Sequence, residues 1–323
     1  MKIAIVGATG LVGQTLLNIL EEKHYTDNNQ IYLYASEKSV GKIIKIAHKN
    51  YKILSLEDVY QVDFAFFCTS AGVSKQYSHK FMQKGAIVID NSSAYRRNPK
   101  IPLVIPEINF DCVNDKTKLI ANPNCSTIAL ALPVFAISKK KNISRIIVST
   151  YQAVSGAGSK GLFDLEYGSV MKFNHVIKNN LIPQIDRFLA DKSTFEEDKI
   201  RFELNKILGK KINVSATCVR VPITNCHSES VNIEFDKNTS CESIKEMLLF
   251  QEGIMVVDDP KHNIYPMPIY AEKNDNILVG RIRKDKSKPK CINMFLCMNN
   301  IRKGAALNAV QIMEKILQQK NTK

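Results

Sequence analysis

No tract of the chain approaches the roughly 20 consecutive apolar residues needed to span a bilayer, so no membrane segment is expected. No secretion signal is legible either. Met1-Lys2 runs straight into the apolar stretch Ile3-Ala4-Ile5-Val6, which Gly7 cuts short, and a cytoplasmic protein is expected. There is no Cys-x-x-Cys pair among the eight scattered cysteines (Cys68, Cys112, Cys125, Cys218, Cys226, Cys241, Cys291 and Cys297). That spacing argues against a metal site or a disulfide framework and fits reduced thiols. The net charge of +14 comes without aromatics interleaved among the lysines and without a zinc-finger or RNA-recognition motif. A nucleic-acid partner is therefore not expected; a solvated basic surface that draws in anionic substrates is. Internal repeats and low-complexity linkers are absent as well.

What remains is ordinary: 323 residues, 45% hydrophobic and 24% charged, enough for two domains with a core each. The first is read from alternation. A short apolar strand over residues 2–6 is followed by Gly7-Ala8-Thr9-Gly10-Leu11-Val12-Gly13 and then by a helix carrying Leu16, Leu17 and Leu20. Strand, glycine-rich turn and helix in that order are the context of a dinucleotide site, in which main-chain N–H groups at a helix start meet a pyrophosphate. The spacing here is G-x-x-G-x-x-G. A second strand, Ile31 to Ala35, ends in Ser36-Glu37-Lys38-Ser39, where hydroxyls and a cation suit the 2′-phosphate of NADP better than Glu37 alone suits the hydroxyl of NAD. Strands at 64–68 and 86–89 continue a mostly parallel sheet, and Ala94-Tyr95-Arg96-Arg97 puts guanidinium groups past the second of these, able to bind phosphate or carboxylate.

The stretch that organises the second domain is Asn122-Pro123-Asn124-Cys125-Ser126-Thr127, followed at once by an apolar run from Ile128 to Leu132. It places Cys125 at a helix N-terminus, where N–H groups and the helix dipole favour a thiolate and where the same N–H groups can hold an oxyanion. A long strand over 143–154 then ends in Gln152-Ala153-Val154-Ser155-Gly156, a mixed-charge helical region is expected over 159–210, and strands follow at 213–221, 230–235, 276–283 and 291–298. Long strands with few helices between them suggest a mostly antiparallel sheet, with one face needing cover from a partner subunit. Residues 305–317 have helical spacing and are expected to return to the first domain. The expected architecture is α/β: a Rossmann-type domain over 1–124 and 301–323, and an α+β catalytic and dimerisation domain over 125–300.

These motifs, in this order and over nearly the whole chain, resemble aspartate-β-semialdehyde dehydrogenase. Asn91-Ser92-Ser93-Ala94-Tyr95-Arg96, Arg220-Val221-Pro222 with His227-Ser228-Glu229, Tyr265-Pro266-Met267-Pro268 and Arg302-Lys303-Gly304-Ala305-Ala306 extend the match. The resemblance implies NADPH-dependent reduction of L-aspartyl-4-phosphate to L-aspartate-4-semialdehyde, on the route to lysine, threonine, methionine and isoleucine. It implies Cys125 as nucleophile, His227 as acid/base group and Gln152 as the residue orienting the acyl intermediate. Arg220 resembles the clamp on the substrate carboxylate, Glu203 the partner of its amino group, and Lys206 with Arg96 the phosphate site. Thr9, Gly10, Leu11, Val12, Lys38, Ser39, Ser155, Gly156 and Asn300 resemble cofactor contacts. No metal is implied, and a homodimer or a homotetramer is expected. Lys38 stands where many relatives carry arginine, which keeps the charge but loses the planar fork, so weaker discrimination against NAD is expected. Two alternatives stay open: a reductase of N-acetyl-γ-glutamyl phosphate, whose motif puts glycine where Asn124 stands, and a non-catalytic NADP-binding sensor. The nucleophile motif of glyceraldehyde-3-phosphate dehydrogenase, Ser-Cys-Thr-Thr-Asn, is absent.

Overall fold

Val6 closes the first strand and Leu11 opens the first helix, and the four residues between them fix the character of the N-terminal unit. The computed structural model describes residues 1–46 and 49–321. It divides into two units: Met1–Pro123 with Ala305–Lys323, and Asn124–Gly304.

In the first unit β1 (Lys2–Val6) leads through the glycine turn to α1 (Leu11–Glu22), then β2 (Gln30–Tyr34), β3 (Ile43–Ile46), β4 (Lys49–Leu54), β5 (Phe64–Phe67), α2 (Ala71–Gln83), β6 (Ile87–Asp90), the short α3 (Pro106–Asn109) and β7 (Leu119–Ala121). The strands lie in the order β3-β4-β2-β1-β5-β6-β7. All neighbours are parallel except β3 and β4. The β3–β4 hairpin lies in a stretch to which the sequence assigns no element; its lysines blunt the sheet edge. Strand residues alternate between two cores, as period-2 side chains must. Ile3, Ile5, Phe64 and Phe66 pack with Leu16 and Leu20 of α1, while Ala4, Val6, Ala65 and Phe67 pack with Phe81 of α2. The chain reverses direction across the sheet between β2 and β5, on either side of β1. That reversal opens a crevice at the carboxyl ends, where α1 begins.

The second unit starts with α4 (Cys125–Ser138), β8 (Ile143–Gln152), α5 (Ser159–Tyr167), α6 (Phe195–Leu208), β9 (Asn213–Arg220), β10 (His227–Phe235), α7 (Cys241–Leu249), β11 (Ile254–Val256), α8 (Pro268–Ala271), β12 (Ile277–Lys284) and β13 (Cys291–Met298). Its sheet runs β11-β12-β13-β10-β8-β9. The β12–β13, β13–β10 and β10–β8 pairs are antiparallel, and the outer pairs β11–β12 and β8–β9 are parallel. α4 is buried on every side from Ser126 to Val134, which is why it reads as a continuous apolar run rather than an amphipathic one. It packs on α6, α7, β10 and β13. After β13 the chain passes through a π-helical turn (Arg302–Ala306) to α9 (Leu307–Asn321), which packs against α1 in the first unit through Val310 and Met313.

The helical region expected over 159–210 is helical only at its ends. Gly168 adopts the left-handed conformation (φ 68°) and stops α5. The Asp164 carboxylate then accepts the main-chain N–H groups of Met171, Lys172 and Phe173 at 2.7, 2.7 and 3.1 Å, holding the chain in a loop. Asn179, Asp186 and Lys192 have positive φ, which no helix tolerates.

Among the described residues no helix is long and apolar enough to cross a membrane, and no group of three metal-ligating side chains occurs.

One buried acid stands out in the sheet. Glu229 lies on β10 between Thr150 and Leu296, is fully buried, and neither of its side-chain oxygens has a hydrogen-bond partner among the described residues. Burial pushes its pKa well up, so it is a neutral acid in the fold. The folded state keeps a proton that the unfolded chain releases, so stability from this group is full at acid pH. It is lost as pH rises above the ordinary carboxylate range, by up to about 1.4 kcal/mol per pH unit. Glu229→Gln removes that loss. Melting temperatures of the two proteins measured from pH 5 to 9 should diverge toward alkaline pH, with the variant higher; parallel curves would show that Glu229 is ionised in the fold.

Candidate active site

Cys125 is the first residue of α4, as its motif implies, and it is partly accessible. Asn124 precedes it in extended conformation, and its Oδ1 accepts the N–H groups of Ser126 and Thr127 at 3.0 and 3.3 Å. This N-cap narrows one expectation. Of the N–H groups at the helix start expected to hold an acyl oxyanion, those of Ser126 and Thr127 are already bound by the cap. Asn124 is itself held by α6: its main-chain N–H donates to Glu203 Oε2 at 2.7 Å and its Nδ2 to Glu196 Oε1 at 2.9 Å. On the other side of the cysteine lies Gly304, where any Cβ would come within 2.9 Å of Cys125 Cβ.

His227 opens β10 and Arg220 ends β9, and both are at least nine-tenths buried. A Cβ on Gly156 would lie 3.4 Å from His227 Nε2 and from Arg220 Nη1, so both side chains close around that glycine. The Ala153 N–H donates to His227 Nδ1 at 3.1 Å. Since an N–H can only donate, Nδ1 carries a lone pair and the proton of the neutral ring sits on Nε2, which has no hydrogen-bond partner among the described residues. Burial first, and the Arg220 charge second, push the histidine pKa down to about 3. Arg220 Nη1 donates to Ala153 O at 2.6 Å, and its guanidinium faces the Phe173 ring at 5.8 Å. Burial lowers the Arg220 pKa, while the charges of Glu196 and then of Cys125 raise it, which puts the thiol within electrostatic range of the guanidinium.

Gln152, at the end of β8, is buried and donates its Nε2 to Thr150 Oγ1 at 3.2 Å and to Glu196 Oε1 at 3.3 Å. The second unit therefore brings together Cys125, Gln152, Glu203, Arg220 and His227. Ser155 and Asn300 are buried near them and bond to each other, Asn300 Nδ2 to Ser155 Oγ at 3.0 Å, while Asn300 Oδ1 accepts the Cys226 N–H at 2.9 Å. Lys206 lies one turn beyond Glu203 on α6 and is half-buried.

The remaining candidates belong to the first unit. Gly7 has φ 88°, and a Cβ there would meet Cys68 O at 2.2 Å; a Cβ on Gly13 would meet Gly7 O at the same distance. Gly7 lets the turn lie against the chain leaving β5, and Gly13 lets α1 lie against the turn. Thr9 and Gly10 are exposed, Leu11 and Val12 half-buried, and the N-terminus of α1 has no side-chain cap. The Gly10 N–H is taken by Gly7 O at 3.0 Å, and the uncapped start of α1 beyond it fits a dinucleotide pyrophosphate. Lys38 is exposed and Ser39 half-buried on a short turn, and the neighbouring Glu37 carboxylate accepts Ser55 Oγ at 2.8 Å. Glu37 and Lys38 are both exposed there, and the carboxylate already has a partner. Arg96 is buried and donates to Asn91 O at 2.7 Å, while Arg97 is exposed, so the two arginines diverge.

Sequence reasoning missed Asn124 as a cap, Glu196 and Gly304. Glu196-Glu197-Asp198 opens α6 and reads as an ordinary acidic first turn; nothing in the pattern says that one of the three is buried.

Comparison with known proteins identifies the family. A family model described as the NAD binding domain of semialdehyde dehydrogenase matches residues 2–116, and its dimerisation domain matches residues 134–303. The aspartate-semialdehyde dehydrogenase of Aquifex aeolicus (strain VF5) is 45% identical over 335 residues, with 98% of both chains covered. That of Campylobacter jejuni is 42% identical, covering 99% of this chain and 98% of its own. Among solved structures, aspartate semialdehyde dehydrogenase II from Vibrio cholerae superimposes with a TM-score of 0.94 at 36% identity over 98% of each chain, and it is also known complexed with ASA. The enzyme from Candida albicans, solved with NADP, gives 0.79 at 25% identity over 99% of each chain. With this identity along nearly its full length, the chain belongs to the aspartate-semialdehyde dehydrogenase family.

Proposed function

We propose that Cys125, Arg220, His227 and Gln152 carry the family reaction in this protein: reductive dephosphorylation of L-aspartyl-4-phosphate to L-aspartate-4-semialdehyde, an early step of lysine, threonine, methionine and isoleucine synthesis. The observation that carries the assignment is the cysteine at the first position of α4, within electrostatic range of a buried arginine that shares one glycine with a neutral histidine.

The positive end of the α4 dipole and the Arg220 guanidinium both stabilise negative charge on Cys125 sulfur. That sulfur attacks the acyl carbon, the C–O bond to phosphate breaks, and a thioester remains, a better hydride acceptor than a carboxylate. Arg220 holds the substrate carboxylate, with Glu203 on the amino group and Lys206 and Arg96 on phosphate. His227 Nε2–H donates to oxygen as charge develops there. NADPH, when bound, supplies the hydride that takes the thioester to the aldehyde level. The turn from Thr9 to Val12 holds its pyrophosphate and Lys38 with Ser39 its 2′-phosphate, while Ser155, Gly156 and Asn300 contact the same cofactor. The enzyme is read as cytoplasmic.

A homodimer is the assembly this reading favours. The face of the second sheet opposite α4 carries Ile147, Tyr151, Ser230 and Phe295, and Ile147 and Tyr151 are more than a third exposed.

The reaction is followed in reverse, as formation of reduced cofactor from the semialdehyde and phosphate with NADP or NAD. Cys125→Ser should lose at least about 10³-fold in kcat with NADP affinity unchanged; substantial turnover would refute the nucleophile. With its pKa near 3, His227 contributes no limb to kcat/KM between pH 5.5 and 8. His227→Gln, which retains a donor near the Nε2 position, should keep more activity than His227→Ala, which should lose about 10²-fold or more. An ionisation near pH 6.5 that disappears in the glutamine variant would overturn the neutral-donor role. Sedimentation velocity should give twice the chain mass, and a monomer at micromolar concentration would remove the dimer.

A further inference from the structure

Glu196 touches two residues of the reaction and is assigned to none of its steps. It sits in the first turn of α6 and is 3% exposed, whereas acidic residues at that position of a helix ordinarily face water. Its oxygens divide the work. Oε1 accepts Asn124 Nδ2 at 2.9 Å and Gln152 Nε2 at 3.3 Å. Oε2 accepts Lys199 Nζ at 2.9 Å, and Lys199 also reaches Asp186 Oδ2 at 2.8 Å.

The consequence follows from amide geometry. By taking the NH2 of Asn124, Glu196 decides which way that amide faces and leaves Oδ1 to cap Ser126 and Thr127, directly after the nucleophile. By taking the NH2 of Gln152, it decides the orientation of the second amide as well. Two amides that are free to flip become fixed by one acceptor that has no proton to give.

We propose that Glu196 is the positioning residue of this site, an ionised buried carboxylate that sets the Asn124 cap and the Gln152 amide and touches neither substrate nor cofactor. The proposal rests on Cys125 being the nucleophile. Burial opposes ionisation of Glu196, but Lys199, by charge and hydrogen bond, together with Asn124 and Arg220, outweighs it and holds the pKa at about 2. The charge is therefore present throughout the working range and depends on Lys199.

The test is Glu196→Gln assayed with the semialdehyde, phosphate and NADP. Its amide cannot offer an oxygen to both neighbours without turning its own NH2 against the Lys199 ammonium. We expect kcat to fall about tenfold to a hundredfold, the cost of a misplaced reacting group, with KM for the semialdehyde within about twofold. Adding Lys199→Met relieves the clash and should restore part of kcat. Lys199→Met alone keeps both Oε1 contacts and removes the cation, so protonation of Glu196, and with it the acid limb of kcat, moves to higher pH; this arm holds even if the glutamine variant does not fold. Wild-type kcat in Glu196→Gln, a rise in KM with kcat unchanged, or an acid limb that stays in place in Lys199→Met each overturns the proposal. A Cys125→Ser variant that turns over would instead defeat the reading beneath it.

Discussion

The hydrogen bond from the Asn124 N–H to Glu203 Oε2, 2.7 Å long and buried, fixes where the main chain enters α4. The position of Cys125 follows from that point. Glu196 and Glu203 are two turns apart on one face of α6, and both reach the same residue, one at its side chain and one at its backbone. Cys125 owes its position to a neighbouring helix rather than to its own loop. Gly304 completes the arrangement, because the chain leaves the second unit against Cys125 and any side chain there would collide with it.

Charge in this site is balanced within the protein before a substrate arrives. Among the described residues no carboxylate lies within hydrogen-bond reach of the buried Arg220; Glu196 supports it at longer range. A guanidinium in that condition has lost water that it has not replaced, and a planar carboxylate is the kind of ligand that can replace it with two-point contact. His227 meets the other end of the problem. Kept neutral by burial and by Arg220, it does not compete as a cation for the same anionic groups, and its only proton already points away from the backbone.

Much of this was legible in the residues alone. Apolar runs bounded by glycine gave the parallel sheet, and the apolar helix after Cys125 was visible because a helix buried all round needs no polar face. What was not legible depends on burial and on partner choice. Glu196 differs from Glu197 in sequence by nothing, yet only the first reaches Asn124 and Gln152; Glu197 closes a capping box with Thr194. The loop from 168 to 194 begins where Gly168 stops α5 and Asp164 takes three consecutive main-chain donors, and positive φ at Asn179, Asp186 and Lys192 keeps it from being helical further on. The tautomer of His227 is set by Ala153, seventy-four residues away, and no local pattern records it. That Asn124 caps its own helix, and so takes the Ser126 and Thr127 N–H groups, depends on its side-chain rotamer and is likewise not written in the motif.

The doubly anchored amide of Asn124 has a consequence for ageing. Asparagine decays when the nitrogen of the following residue closes on the side-chain carbonyl carbon, forming a succinimide and releasing ammonia. Here that nitrogen belongs to Cys125, while the amide is drawn the other way, its oxygen to Ser126 and Thr127 and its nitrogen to Glu196. The contacts that aim the sulfur thus also slow the chemical clock that would otherwise place a carboxylate beside it.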